Sequence, residues 1–424
     1  MLIDKIFLRL QYRLSMFSFP RPQAGLIFSV FLGSLLFLQL PLSFIAFEMG
    51  LPNRSLMLSV RAFTMLASIF IVATCRPFRL KPWLVAIFFF WGFYVIRLLL
   101  DIGFLGVHLL VPAWELLAWG IGSSLLPALA VYSISARTDS SLNPLGLIGM
   151  GVASLAFSLC SFLLNYNPFS MRFMLHDLNP ITTGHAGASL FLISVASLCC
   201  PSAGKQSPQR SWLVYSGILL GILITIYSAT RSAFATALLG LIFASFFAFG
   251  AKSGKIILLI TSLVSGLLLL ASRNLGVDDG LVHRLYTFGQ DSSELDRIKF
   301  IVNGFKYWLE QPLLGVGFRT HQLMNDLIPD LPRYYPHNFL IESLMLGGLV
   351  LGGFFLLFVI ITALTAFRLL EVSPSDLWVV LLWLQSFVYV MVSGHLGNVP
   401  FFWFSSAVIC GRYEALWVRE VRPR

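Results

Sequence analysis

Arginine inside apolar sequence is the first feature of this chain that asks for a chemical explanation. Arg61, Arg97 and Arg231 lie within or beside long aliphatic and aromatic runs. If those runs cross a bilayer, an unpaired cation there costs about 2.5–3.5 kcal/mol on insertion scales, so each needs a partner, a route to the headgroups or a ligand. Arg97 has Asp101 four residues on, and the two can pair along one helix face. Arg61 can snorkel to the outer headgroups. Arg231 stands in Tyr227-Ser228-Ala229-Thr230-Arg231-Ser232, between two apolar runs with almost no loop. A tight hairpin there aims its guanidinium at the rim of a helix bundle, where it is either an interfacial anchor or a permanently charged fork that binds phosphate bidentately. Arg297 falls at the edge of the apolar face of a helical pattern and reads either as a solvated loop charge or as a second such fork.

The other candidate is a histidine. His337 sits in Tyr335-Pro336-His337-Asn338-Phe339-Leu340-Ile341-Glu342, which opens an apolar run containing Gly347, Gly348, Gly352 and Gly353. A lone histidine is more often structural than catalytic. At the head of a helix, however, free backbone N–H groups and the helix dipole favour an anion. Gly348 and Gly352, four apart, are expected to pack that helix closely on a neighbour. Two arginines and a histidine at one outer face make a site for an anionic substrate. Fixed guanidinium groups at such a rim can stabilise charge developing on a phosphate, and a histidine near its unperturbed pKa of about 6.5 can activate or orient a hydroxyl.

These residues need a scaffold, and composition names it. Of 424 residues 57% are hydrophobic and 11% charged, against roughly 25% charged in soluble domains. That excludes a soluble globular protein, a disordered chain and a coiled coil. Apolar runs lie at about 24–47, 55–75, 82–100, 113–134, 144–164, 185–200, 212–229, 232–250, 256–272, 338–366, 377–394 and 400–418. At about 20 residues per crossing, the expectation is an all-α polytopic membrane protein of about twelve spans, a single integral membrane domain over 1–424. Short connections holding Arg76, Arg79 and Lys81, then Arg137, Lys205 and Arg210, Lys252 and Lys255, and Arg368 alternate with less basic ones. With Arg412 and the later arginines assigned to a tail, both termini are expected to be cytoplasmic. The net charge of +10 is then read as topology, not as nucleic-acid binding. No removable signal peptide is read at the start. The five cysteines show no metal or disulfide spacing and read as small core hydrophobes.

One hydrophilic stretch breaks the pattern, the long outer loop 273–336. Leu295, Ile298, Ile301, Val302, Phe305, Trp308 and Leu309 recur in it at helical spacing. An amphipathic helix is therefore predicted between Asp296 and Glu310, lying on the membrane's outer surface or capping the bundle, with Pro312, Gly315 and Gly317 breaking the chain after it. Phosphate-loop, dinucleotide-fold, paired-histidine zinc and nucleophile-elbow signatures are absent.

The run from Arg231 to about Val359 resembles the O-antigen ligase and polymerase family: an arginine at the turn before a span, Arg297 followed by Pro312-x-x-Gly315-x-Gly317, then Pro-His-Asn-x-x-x-Glu and glycines. The resemblance implies a bacterial inner-membrane glycosyltransferase that takes a glycan from undecaprenyl diphosphate on the periplasmic side and joins it to a sugar acceptor. It assigns Arg231 and Arg297 to the diphosphate and His337 to catalysis at the acceptor. The expected transfer is inverting, metal-independent and without cofactor. The Tyr-Pro-His-Asn phrase looks more like a polymerase, which extends a lipid-linked chain, than a ligase, which joins the chain to lipid A core. Membrane lipids and a polysaccharide assembly complex are the other expected partners. A transporter or flippase is the alternative of another class, and it predicts charges along a path through both leaflets and inverted repeats. Arg61, Arg97, Arg172 and Arg319 are given no role by the resemblance.

Overall fold

The computed structural model describes residues 21–75, 81–137, 144–164, 179–200, 208–247, 292–327, 335–397 and 399–421, with 142, 266, 281, 285 and 289 singly. These residues are helical throughout their ordered elements. The helices are α1 (Arg21–Phe37), α2 (Gln39–Glu48), α3 (Asn53–Thr74), α4 (Pro82–Gly103), α5 (Ala113–Ser135), α6 (Leu145–Leu164) and α7 (Pro180–Cys199). They continue with α8 (Pro208–Tyr227), α9 (Arg231–Phe247), α10 (Ser292–Glu310), α11 (Thr320–Asp326), α12 (Phe339–Val372), α13 (Leu377–Val392) and α14 (Pro400–Val421).

Among the described residues seven helices are long and apolar enough to cross a membrane, or eight if α1 and α2, bent by 55°, count as one span. Leu145–Ser161 and Arg231–Phe247 are shorter apolar helices. This is a multi-pass, all-α membrane protein, but the described residues do not give twelve spans. The expected run 256–272 falls outside them apart from Gly266, as does Arg172, and α14 carries Arg412 and Glu414 where a span and a tail are expected.

Aromatic side chains of α4, α12 and α14 make the centre of the bundle. Phe90 meets Phe355 and Trp403, Trp91 meets Tyr94 and Trp403, Phe355 meets Phe402 and Phe358 meets Trp403, with ring centroids 5.0–6.4 Å apart and every pair tilted or edge-on, the arrangement the ring quadrupole favours. Beside them α7 and α8 touch backbone to backbone. A Cβ on Gly187 would lie 2.8 Å from the Gly221 carbonyl oxygen, and one on Gly221 would lie 2.6 Å from the Phe191 nitrogen. Small residues allow this approach in a membrane, where dispersion contacts rather than water exclusion hold helices together.

The bundle's two ends differ. At one, Arg412 and Asp376 form an ion pair that is 0% exposed on both sides, with Nη2–Oδ2 at 3.0 Å and Nε–Oδ2 at 3.2 Å. The sequence reading assigned Arg412 to a tail. It lies instead within the bundle: α14 runs on to Val421, and the 3₁₀ turn Pro374–Asp376 after α12 brings the carboxylate to Arg412.

At the opposite end α12 is broken. Gly347 (φ −139°, ψ 16°) and Gly348 (φ 61°, ψ −152°) leave helical geometry, and the segment after α10 fills the break. Val316 N–H donates to the Met345 carbonyl at 2.7 Å, and Leu349 N–H donates to that of Pro312 at 2.8 Å, so strand-like bonds replace helical ones the kink removed. Gly348 therefore does not serve helix–helix packing as expected. A Cβ on it would run into the Leu313 backbone, while one on Gly352 would meet Leu344 of its own helix.

From the other side α4 clasps the same segment. Arg97 pairs with Asp101 (Nε–Oδ1 3.0 Å), as the spacing predicts, and its Nη1 and Nη2 donate to the carbonyls of Leu314 (3.2 Å) and Gly315 (3.4 Å). Asp101 Oδ2 accepts from Phe318 N–H at 2.6 Å. A Cβ on Gly317 would collide with this pair. The Gly-x-Gly of the sequence motif is thus a requirement of close approach.

Candidate active site

Arg231 is the first residue of α9, and its turn is fixed from below. Ala229 takes a positive φ of 49°. Thr230 Oγ1 donates to the Pro180 carbonyl at 3.1 Å, and Gly184 leaves no room for a Cβ beside Ser228 and Thr230. The next residue, Ser232, meets His185 of α7 (Oγ to Nε2 3.2 Å), whose ring lies on Tyr389 of α13 with centroids 4.2 Å apart. The Arg231 guanidinium forms an ion pair with Glu294 in the first turn of α10.

α10 is the predicted amphipathic helix, starting a turn before Asp296. Phe300 and Gly304 face α12, where Phe300 clusters with Val316, Met324 and Met345, and a Cβ on Gly304 would meet Ile341. Leu295, Ile298, Val302, Phe305 and Leu309 are exposed along another face, as an interfacial helix requires. Glu294 and Arg297 are three apart and so neighbours. Arg297 is half-buried, and its charge acts on both His337 and Tyr335. Arg61 in α3 has an electrostatic partner in Glu115 of α5, and Arg319 is exposed.

His337 precedes α12 in a left-handed conformation with φ 56°. Such geometry in a non-glycine residue costs of order 1–3 kcal/mol and marks functional sites more often than others. Asn338 caps α12, accepting from Ile341 N–H at 3.0 Å, and its Nδ2 donates to the Met391 carbonyl at 2.9 Å. One turn on, Glu342 Oε2 accepts from Leu396 N–H at 3.0 Å. The Asn and Glu of Pro-His-Asn-x-x-x-Glu therefore grip the end of α13 and its connection to α14 from one helix face. His337 lies between Tyr335 (4.3 Å) and Phe300 (6.3 Å), with the Ser393 carbonyl against its ring. Its Nδ1 is buried and has no hydrogen-bond partner among the described residues. Burial, then the charge of Arg297, pushes its pKa down to about 4, so the ring is neutral at pH 7.

Sequence reasoning passed over the residues behind it. His321 of α11, Glu342 and His395 converge from three segments with ligand atoms within 4.8 Å of one another, a spacing a metal could use. The hydrogen bonding speaks for another state. Gly397 N–H donates to His395 Nδ1 at 3.0 Å, which in a neutral imidazole puts the proton on Nε2. Burial holds His395 near 3 and His321 near 4, so both rings are neutral. Nε2 of His395 then donates to Nε2 of His321 at 3.3 Å, with Glu342 Oε1 at 3.6 Å. Burial also pushes the Tyr335 hydroxyl up to about 12. The one sequence signal for His395 is its place in Ser393-Gly394-His395-Leu396-Gly397, a short polar break between two apolar runs.

α10 thus links Arg231, Arg297 and His337: its Glu294 pairs with Arg231, and its Arg297 acts by charge on His337. The chain has the architecture of a multi-pass membrane protein with a polar, histidine-rich site. Residues 216–358, from within α8 to within α12, match the O-antigen ligase family model. Glycan transfer of the O-antigen ligase and polymerase type, on lipid-linked glycans, is the activity this family implies. No match to a curated protein accompanies it.

Proposed function

We propose that the protein transfers a glycan from undecaprenyl diphosphate to a sugar hydroxyl at the periplasmic face of the bacterial inner membrane, acting as an O-antigen polymerase. The observation that carries the reading is the strained, neutral His337, with its buried Nδ1 unused, beside Arg297 and within the matched domain. The acceptor oxygen attacks the anomeric carbon, its proton passes to the His337 lone pair, and the bond to the diphosphate breaks with its electron pair leaving on oxygen. Arg231 and Arg297 hold the charge that develops there. Attack opposite the leaving group inverts the anomeric centre, and fixed guanidinium groups supply the electrostatic stabilisation without a metal. Glu294 neutralises Arg231 until the diphosphate takes its place.

Arg231→Lys keeps the charge and loses the planar fork. It should cut transfer about tenfold or more while the protein accumulates normally, a loss on the scale of one charge-assisted hydrogen bond. Full activity in membranes from that strain would reduce Arg231 to an anchor. Supplying the purified protein with lipid-linked repeat units or with lipid A core as acceptor distinguishes polymerase from ligase.

The reading includes twelve spans and both termini cytoplasmic. The orientation is supported by the alternation of basic short connections, with Lys81 and Arg412 both on the α14 side, at Glu414 and Asp376. Reporter tags at 205 and 253 should give a cytoplasmic signal and a tag at 290 a periplasmic one. A cytoplasmic signal at 290 would put the site on the wrong side of the membrane.

A further inference from the structure

The connection between α13 and α14 holds none of the residues that the family resemblance assigns, yet it forms the wall behind His337. Glu342 binds it at Leu396, and Asn338 binds the end of α13 just before it, at Met391. Within it Gly397 fixes one nitrogen of His395, and His321 meets the other. Trp119 closes the remaining side, edge-on to His395 with centroids 6.1 Å apart. It stands in the π-helical stretch Ala118–Leu125 of α5, a form of helix that recurs at functional sites.

Buried polar groups are a costly way to fill space, since apolar side chains of equal volume are often as stable or more so. What they add is direction, because a hydrogen-bonded ring has one orientation. The oriented ring of His395 meets Tyr335 edge-on at 4.7 Å and 88°, and the opposite neighbour of Tyr335 is His337, at 4.3 Å. The same connection supplies the Ser393 carbonyl to the His337 ring. A side chain on a strained left-handed residue keeps its place only when its surroundings over-determine it, and Tyr335 and Ser393 are those surroundings.

We infer that His395 is a positioning residue for His337: anchored by Glu342, Gly397 and His321, it fixes Tyr335, which holds the His337 imidazole in the orientation transfer requires. The inference rests on the catalytic reading of His337. It assigns no proton transfer to the buried trio.

The test is steady-state transfer by the purified full-length protein in detergent, normalised to folded protein, with kcat and the donor KM measured separately. His395→Ala should lower kcat about 10- to 100-fold, the effect of a misplacement of about an ångström, with donor KM within about twofold, since Arg231 and Arg297 are untouched. Glu342→Gln keeps an oxygen for Leu396 N–H and should stay within about threefold of the parent, whereas Glu342→Leu should fall as far as His395→Ala. Combining His395→Ala with Glu342→Leu should cost no more than the worse single change, because both act through one element. If His395→Ala fails to accumulate, Tyr335→Leu carries the test, with the same kcat loss expected. Unchanged kcat in His395→Ala or Tyr335→Leu, a loss confined to donor KM, or clear additivity overturns the inference. So does a zinc ion found at one per chain and lost in His321→Ala, because a metal needs the Nε2 lone pair that the Gly397 bond denies. An inactive His337→Ala beside a fully active His395→Ala sinks this inference alone, and an active His337→Ala sinks the functional reading itself.

Discussion

His337→Ala should lower glycan transfer by about two to four powers of ten, the range for loss of a general base, while the protein still reaches the membrane and binds lipid-linked donor. The backbone needs its own control, because residue 337 sits at φ 56°. Asparagine and glycine tolerate that region better than alanine. If the residue serves only as a turn and cap, His337→Asn and His337→Gly should keep substantial activity, and the alanine variant should suffer only the roughly 1 kcal/mol expected of a lost cap. If the imidazole takes the acceptor's proton, all three should be equally inactive. An alanine variant within about tenfold of the parent, per folded protein, would end the catalytic assignment.

The pH profile gives the same experiment a second readout. The reacting form is the neutral ring. With its pKa near 4, transfer should persist as pH falls through 6.5 and collapse only as pH approaches 4. The charge of Arg297 is the second cause of that depression, after burial. Arg297→Gln, assayed at saturating donor, should therefore move the acid limb to higher pH. A limb that stays put would separate Arg297 from His337.

The second large effect concerns Gly348. Its φ of 61° and ψ of −152° belong to a region essentially reserved for glycine, and a Cβ there would strike the Leu313 backbone. Gly348→Ala should cost about 3 kcal/mol or more, strain and clash together, read as a clear drop in melting temperature in detergent. Gly353→Ala is the matched control on the same helix. No atom lies within 4 Å of its Cβ position, so the substitution should be neutral or stabilise by up to about 1 kcal/mol. Equal melting of the two variants would remove the kink from the account.

Local signals in the sequence survived contact with the structure. Arg97 and Asp101 are four apart on one helix and pair. The apolar repeat from Leu295 to Leu309 is an amphipathic helix, and Arg231 does stand at a tight turn. What could not be read was convergence. His321, Glu342 and His395 lie in three elements, and each is an isolated polar residue until α12, α11 and the α13–α14 connection are in place. His185 was passed over for the same reason, since its partners Ser232, Gln385 and Tyr389 come from α9 and α13. Gly348 was misjudged because closely spaced glycines look alike whether a helix packs tightly or breaks, and the deciding segment, Leu313–Val316, is distant in sequence. Arg412 was misplaced because nothing near it shows that Asp376 waits across the bundle.

The joint between α12 and the Pro312–Val316 segment bears on how such proteins can diverge and be recombined. Met345 and Leu349 find their hydrogen-bond partners in the loop, and the loop finds its own in the helix and in Arg97 and Asp101. Neither piece is self-sufficient. A chimera that imports only the outer loop of another protein inherits one half of a mortise without its tenon, even where the two loops match in length and charge. The smallest transferable module is discontinuous: residues 311–318, the helix on either side of Gly347 and Gly348, and the two charged residues of α4.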